Sequence, residues 1–172
     1  MISKLNVNIK SSKPLPTGID ISLDVSPRFL SQIGFAFPIT IQTPTFLCAP
    51  PFTKPHKMIT VMALLDTGAT RTCISELIAD VLDLSPVGFS KAYTASGVGE
   101  FADYAVDIIF PDAGLRGFED MNVGSCNLPY NHYPHDDQRM ANNNIGALIG
   151  RDMMSRWNIV WNGPSSSVFI SE

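Results

Sequence analysis

A chain of 172 residues is one domain by the usual size prior and is long enough to bury a substantial core. Its formal net charge of −4, with no basic block, argues against nucleic acid as a partner, and no apolar run approaches the roughly 18 residues a membrane span needs. Hydrophobic residues make up 45% and charged ones only 16%, a composition that favours an assembly hiding part of the surface.

The N-terminal stretch alternates polar and apolar residues in Leu5-Asn6-Val7-Asn8-Ile9 and again in Ile19-Asp20-Ile21-Ser22-Leu23-Asp24-Val25. Pro14, Pro16 and Gly18 lie between, so the pattern predicts a two-stranded meander. Met1-Ile2-Ser3-Lys4 offers no signal-peptide core. Residues 1–37 read as an extension of extra strands, and residues 38–172 as the main domain. Residues 38–46 read as a strand, and a connection with Pro50, Pro51 and Pro55 leads to a second, apolar one, Val61-Met62-Ala63-Leu64-Leu65.

That strand delivers Asp66-Thr67-Gly68-Ala69, a carboxylate on a tight loop of small residues. Beyond it Ile74, Leu77, Ile78, Val81 and Leu82 recur at helical spacing, with Ser75 as an N-cap and Pro86 past the end. Residues 93–101, with Ser96, Gly97, Val98 and Gly99 at the tip, read as a hairpin running into the alternating strand Tyr104-Ala105-Val106-Asp107-Ile108. Pro111-Asp112-Ala113-Gly114 has the composition of an ordinary turn. Residues 127–144 form a polar loop whose His132, His135, Asp136 and Asp137 read as solvated rather than metal-binding, because no rigid element fixes their geometry. Ala147-Leu148-Ile149-Gly150-Arg151-Asp152 then reads as a buried strand entering a helix. Asp152 falls in its first turn, and Met153, Met154 and Trp157 face the core. Residues 157–161 and 168–170, joined by a turn at Asn162-Gly163-Pro164, read as two closing strands.

A lone aspartate, with an ordinary pKa of about 3.9, is too weak a base to activate water near neutral pH. Two carboxylates at close range cannot both ionise, so they hold one proton between them, and one can take a proton while the other gives one. The chain has one Asp-Thr-Gly, and Asp112-Ala113-Gly114 lacks both the hydroxyl residue and the room for a second lobe. A second carboxylate therefore points to a second copy of the chain related by a twofold axis.

The stretch ALLDTGATRTCIS, followed by ALIGRD, resembles the active-site segments of the retropepsin-like aspartic proteases, the single-domain family of retroviral proteases and their cellular and bacterial relatives. The resemblance implies a mostly β fold: a closed barrel with two short helices, here carrying the N-terminal β extension. It implies a homodimeric aspartic endopeptidase that needs no metal or organic cofactor, with Asp66, Thr67 and Gly68 as the catalytic triplet. In that picture the Thr67 hydroxyl bonds across the dimer axis, and a mobile flap around Ser96, Gly97, Val98 and Gly99 closes over the substrate. Together with Ala69 and Ile149 the flap would contact a peptide bound as an extended strand. The family's supporting ion pair does not carry over to Arg151, because the stretch after the triplet reads Thr70-Arg71. A rival reading keeps the same fold as a non-catalytic peptide-binding or dimerisation module. A third treats the chain as a piece of a larger retroelement polyprotein.

Cys48, Cys73 and Cys126 form no CxxC pair and leave one thiol over under any pairing, which reads as reduced cysteines in the cytoplasm. Cys73, just past the loop, reads as a packing residue with no base beside it in sequence.

Overall fold

The computed structural model describes residues 7–10, 18–23, 34–94, 97–111, 115–128, 130, 145–164 and 167–172. Six strands close on one another. β3 (Ala36–Gln42) pairs antiparallel with β4 (Met58–Leu65), and β4 runs parallel to β9 (Ile145–Ile149). β9 pairs antiparallel with β5 (Cys73–Ser75), which is parallel to β8 (Phe118–Cys126). β8 pairs with β7 (Gly97–Ile109), and the Thr40↔Ile109 to Gln42↔Asp107 register joins β7 back to β3. Closure removes the free strand edges that an open sheet would expose. The mostly β barrel expected from the sequence is thus present, and β6 (Gly88–Thr94) projects from it as the outer arm of a hairpin with β7.

The interior is filled from every wall. Phe37, Ile39 and Ile41 of β3, Val61 and Ala63 of β4, and Ile149 of β9 are almost wholly buried. Aromatic rings run through this core in sequence: Phe37 stacks on Phe110 at 6.2 Å, and Phe110 meets Trp157 edge-on at 5.3 Å. Trp157 also meets Phe118 at 6.0 Å, and such pairs contribute about 0.5–1.5 kcal/mol beyond their burial.

The N-terminal alternation is realised as β1 (Val7–Lys10) and β2 (Gly18–Leu23), paired antiparallel. They do not stand apart from the rest. β2 pairs with β11 (Ser167–Ser171), which pairs with β10 (Asn158–Asn162), making a second sheet from the two ends of the described chain. A hydrogen-bonded ladder thus joins part of residues 1–37 to the C-terminal strands, with Ile19 in register with Ile170 and Ile21 with Val168. The two closing strands read from the sequence are β10 and β11 of this sheet.

Other expectations shift in detail. The strand expected over residues 38–46 ends at Gln42, because Thr45–Cys48 winds into a helical turn, α1. The helix after the Asp66 loop, α2 (Glu76–Val81), starts at the expected Ser75, although the Ser75 side chain makes no capping bond. Ile74 belongs to β5 rather than to this helix, and Leu77 is exposed while Ile78 and Ala79 are buried. With α3 (Arg151–Met154) the described residues hold three short helices, one more than expected. Met153, Met154 and Trp157 are buried as read. The turn at residues 112–114 and the loop residues His132, His135, Asp136 and Asp137 lie outside the described residues.

Candidate active site

β4 carries the chain out of the core at Leu65, whose N–H donates to the Phe35 carbonyl at 2.8 Å, so the next residue starts from a fixed point. The Asp66 N–H donates to the carbonyl of Ile149 at 3.0 Å, and the Ala69 N–H returns to the Asp66 carbonyl at 3.1 Å, closing a turn. Within that turn the Gly68 N–H donates to Asp66 Oδ1 at 2.8 Å. A Cβ at position 68 would stand 3.1 Å from the same oxygen, so a larger residue would press on the carboxylate it now supports. Asp66 is partly buried, while Thr67 and Gly68 are exposed, so this chain does not enclose the carboxylate.

The loop is clamped from below by residues 149–152 at the end of β9. A side chain at Gly150 would overlap the backbone of Arg71 and Thr72, so glycine lets the two segments touch. The Arg151 N–H donates to the Ala69 carbonyl at 3.0 Å, and its guanidinium donates to the Thr67 carbonyl and to Thr70 Oγ1, both at 2.9 Å. Arg151 thus braces the loop through neutral acceptors in place of an ion pair. Asp152 accepts from the Thr72 hydroxyl at 2.8 Å and from the Thr72 and Met153 N–H groups, each at 2.9 Å. Its role is wider than complementing a helix terminus.

Above the loop lies a cleft of about 640 Å³. Asp66, Gly68 and Ala69 line its floor, Ser90, Lys91, Ala92 and Phe101 come from the β6–β7 hairpin, and Leu148 comes from β9. Ile149, expected as a contact, is not among the residues that line this cleft. Its side chain is fully buried in the core, and only its carbonyl serves the site, by holding Asp66. Successive strand residues face opposite sides, so Leu148 takes the cleft side.

The hairpin stands where the sequence placed it, with Thr94 opposite Gly97. Gly97 has φ 121°, a conformation that favours glycine, and Val98 is 61% exposed. A Cβ at Gly99 would meet the Phe101 ring at 2.7 Å, so the missing side chain makes room for a ring that lines the cleft. Ser96 lies outside the described residues.

Sequence reading missed the residue that ties this hairpin to the loop. Arg71 Nη1 donates to Ser90 Oγ at 2.9 Å and lies 3.2 Å from Asp103 Oδ1, while its Nη2 donates to Asn122 Oδ1 at 3.0 Å. Ser90 Oγ donates in turn to Asp103 Oδ1 at 2.8 Å. Asp103 is nearly buried, and a buried charge calls for such a partner. An aspartate within the otherwise alternating strand after the hairpin was the available signal for an unseen cation.

A larger concavity of about 870 Å³ lies around Asp107, Arg116 and Glu119. The Asp107 carboxylate there is occupied structurally. It accepts from the Thr45 N–H at 2.8 Å, the Thr45 hydroxyl at 2.7 Å and the Asp120 N–H at 2.8 Å. Burial acts to raise its pKa, but the bonds from Asp120, Thr45 and Gln42 outweigh burial and hold it below the usual value. Among the described residues there is no group of three or more His, Cys, Asp or Glu able to hold a metal ion, and no helix long and apolar enough to cross a membrane.

No protein-family model matches the chain, and no curated protein matches it. Among solved structures it is similar to the crystal structure of a retropepsin-like aspartic protease from Rickettsia conorii, with a TM-score of 0.46 and 14% sequence identity. That similarity spans 98% of this chain and 96% of the other.

Proposed function

We propose that the chain is an aspartic endopeptidase that works as a homodimer, each copy supplying one Asp66 to a shared catalytic pair. The observation that carries this reading is a partly buried Asp66 on a loop clamped at Ile149, Arg151 and Asp152 and opening into the cleft beneath the hairpin. A carboxylate needed only to finish a turn requires neither the brace nor the cleft.

In the dimer the two Asp66 carboxylates hold one proton. The ionised one takes a proton from water as that water attacks the peptide carbonyl carbon, and the protonated one gives its proton to the carbonyl oxygen. The resulting gem-diol collapses as a carboxylate returns a proton to the departing amine. Gly68 N–H and the braced loop keep the carboxylate oriented throughout, so little reorganisation is needed at the moment of reaction.

The hairpin acts as the flap, and the peptide lies extended between it and the Asp66 loop. Phe101, Ala92, Ala69 and Leu148 make the walls largely apolar, which favours cleavage between hydrophobic residues. Asp66→Asn is the test, on a peptide library from acidic to neutral pH. Loss of hydrolysis with dimerisation and peptide binding retained supports the proposal. If wild type and variant both bind peptides and neither cleaves them, the fold serves as a binding module.

A further inference from the structure

Leu148 of β9, Cys73 of β5, Gly124 of β8 and Asp103 of β7 stand in register across four neighbouring strands, so they face the same side of the sheet. That side is the cleft, which Leu148, Cys73 and Gly124 all line. Cys126, two residues beyond Gly124, shares its face and lines the cleft as well. The row has one gap. Among the described residues, a Cβ built at Gly124 would have only the Cys73 Cβ, at 3.8 Å, within 4 Å beyond its own chain neighbours.

Glycine inside a strand costs stability, so its presence calls for a reason. A left-handed backbone is not the reason, since among the described residues the positive-φ glycines are Gly34 and Gly97. A bulge is not the reason either. β8 keeps its register with β5 and β7 at Gly124, and its irregularity with β7 lies between Val106 and Ile108. Close main chain is also absent: a side chain at Gly117 or Gly150 would run into backbone, and one at Gly124 would not. Room for a bound group is the reason that remains.

We propose that this gap is a specificity pocket of the cleft, taking a large apolar side chain, aromatic or of leucine size, from the extended peptide. An extended chain presents alternate side chains to the surface it lies on, so one of them is directed into the row. Leu148, Cys73 and Ala69 offer it apolar walls. Beyond Gly124 the row reaches Asp103, which accepts from Ser90 Oγ at 2.8 Å and lies 3.2 Å from Arg71 Nη1. Ser90 and Asp103 are thus taken up by Arg71 and by each other, and a polar tip entering there would give up water for no free partner. Gly124 sets the size accepted, because a side chain at that position would occupy the gap. That the bound peptide is then cut rests on the proposed function, whereas the size preference is read from binding alone.

The experiment uses the full chain and blocked peptides in which each position in turn holds Phe, Leu, Ala or Glu. Affinity is measured on Asp66→Asn, which removes turnover, and cleavage on the wild type. At one position Phe or Leu should exceed Ala by about 10–100-fold. Gly124→Val should cut that ratio by about tenfold or more, and Gly124→Ala should cut it less. Both variants should fold as the wild type does, because valine suits a strand and the new Cβ meets ordinary contact only.

Indifference to size at every position, a ratio unchanged in Gly124→Val, a preference for Glu at the position that responds to Gly124, or a Gly124→Val chain that fails to fold would each overturn the proposal. If peptides bind with the expected ratio and none is cut, the endopeptidase reading fails and the pocket stands. If peptides are cut without regard to Gly124, the pocket fails and the endopeptidase reading stands. A chain that binds no peptide contradicts both.

Discussion

Asp152 accepts both the backbone N–H of Thr72, at 2.9 Å, and its hydroxyl, at 2.8 Å, joining two segments 80 residues apart. The same hydroxyl oxygen accepts from the Gly150 N–H at 3.1 Å, so a single threonine stitches the segment after the Asp66 loop to the one that ends β9. Thr72 is fully buried, while Asp152 is partly so.

Asp152→Ala should therefore destabilise the fold by about 2–4 kcal/mol, since two buried donors lose a charged acceptor. Asp152→Asn keeps one acceptor oxygen and should cost less, about 1–2 kcal/mol. Urea unfolding with an unchanged slope measures both. An alanine variant within about 0.5 kcal/mol of wild type, the range of an ordinary surface change, would show that the contact holds nothing together.

Among the described residues Arg71 is the one charged partner of Asp103, whose side chain is 10% exposed against 39% for Arg71. Arg71→Met should cost about 1–3 kcal/mol, below the usual figure for a buried pair because the cation is partly in water. The loss should appear locally as faster amide exchange in β6, whose contact with the loop runs through Ser90. Lysine should rescue only in part, because an ammonium cannot reach Ser90, Asp103 and Asn122 with a planar fork. Unchanged exchange in β6 would separate the hairpin from this network.

Asp107 gives the acid limb of stability a specific owner. Its carboxyl is held below the usual range in the folded state. Its contribution is therefore fully present above the unfolded value of about 3.9 and is lost as the pH falls through the lower folded value. Asp107→Asn should lower stability at neutral pH, and its deficit relative to wild type should shrink as the pH drops below about 4. A deficit that stays constant from neutral to strongly acidic pH would assign the acid sensitivity elsewhere.

Much of the barrel was legible because its signals are local. The apolar run before Asp66, the glycines at 97 and 99 and the alternation around Val106 each specify an element within a few residues. What was illegible depends on which strands meet. β5 is three residues long and pairs with β8 and β9, so no local pattern marks Cys73-Ile74-Ser75 as a strand. The same pairing brings Cys126 beside Cys73, and the same barrel geometry brings Arg71 to Asp103. Leu148 lines the cleft while its neighbour Ile149 is buried, a matter of strand phase in which a shift by one residue exchanges core for cleft. The N-terminal hairpin was readable as two strands, but its union with β11 was not, since nothing in either segment names the other.

The central claim is that two copies of the chain share one catalytic proton, and the most direct measurement is an experimental structure of the assembled protein that locates both Asp66 side chains. The account predicts a twofold dimer with the carboxylates about 3 Å apart, close enough that both cannot ionise. A protein that stays monomeric at every concentration, or a dimer whose Asp66 carboxylates are too far apart to share a hydrogen bond, would contradict it.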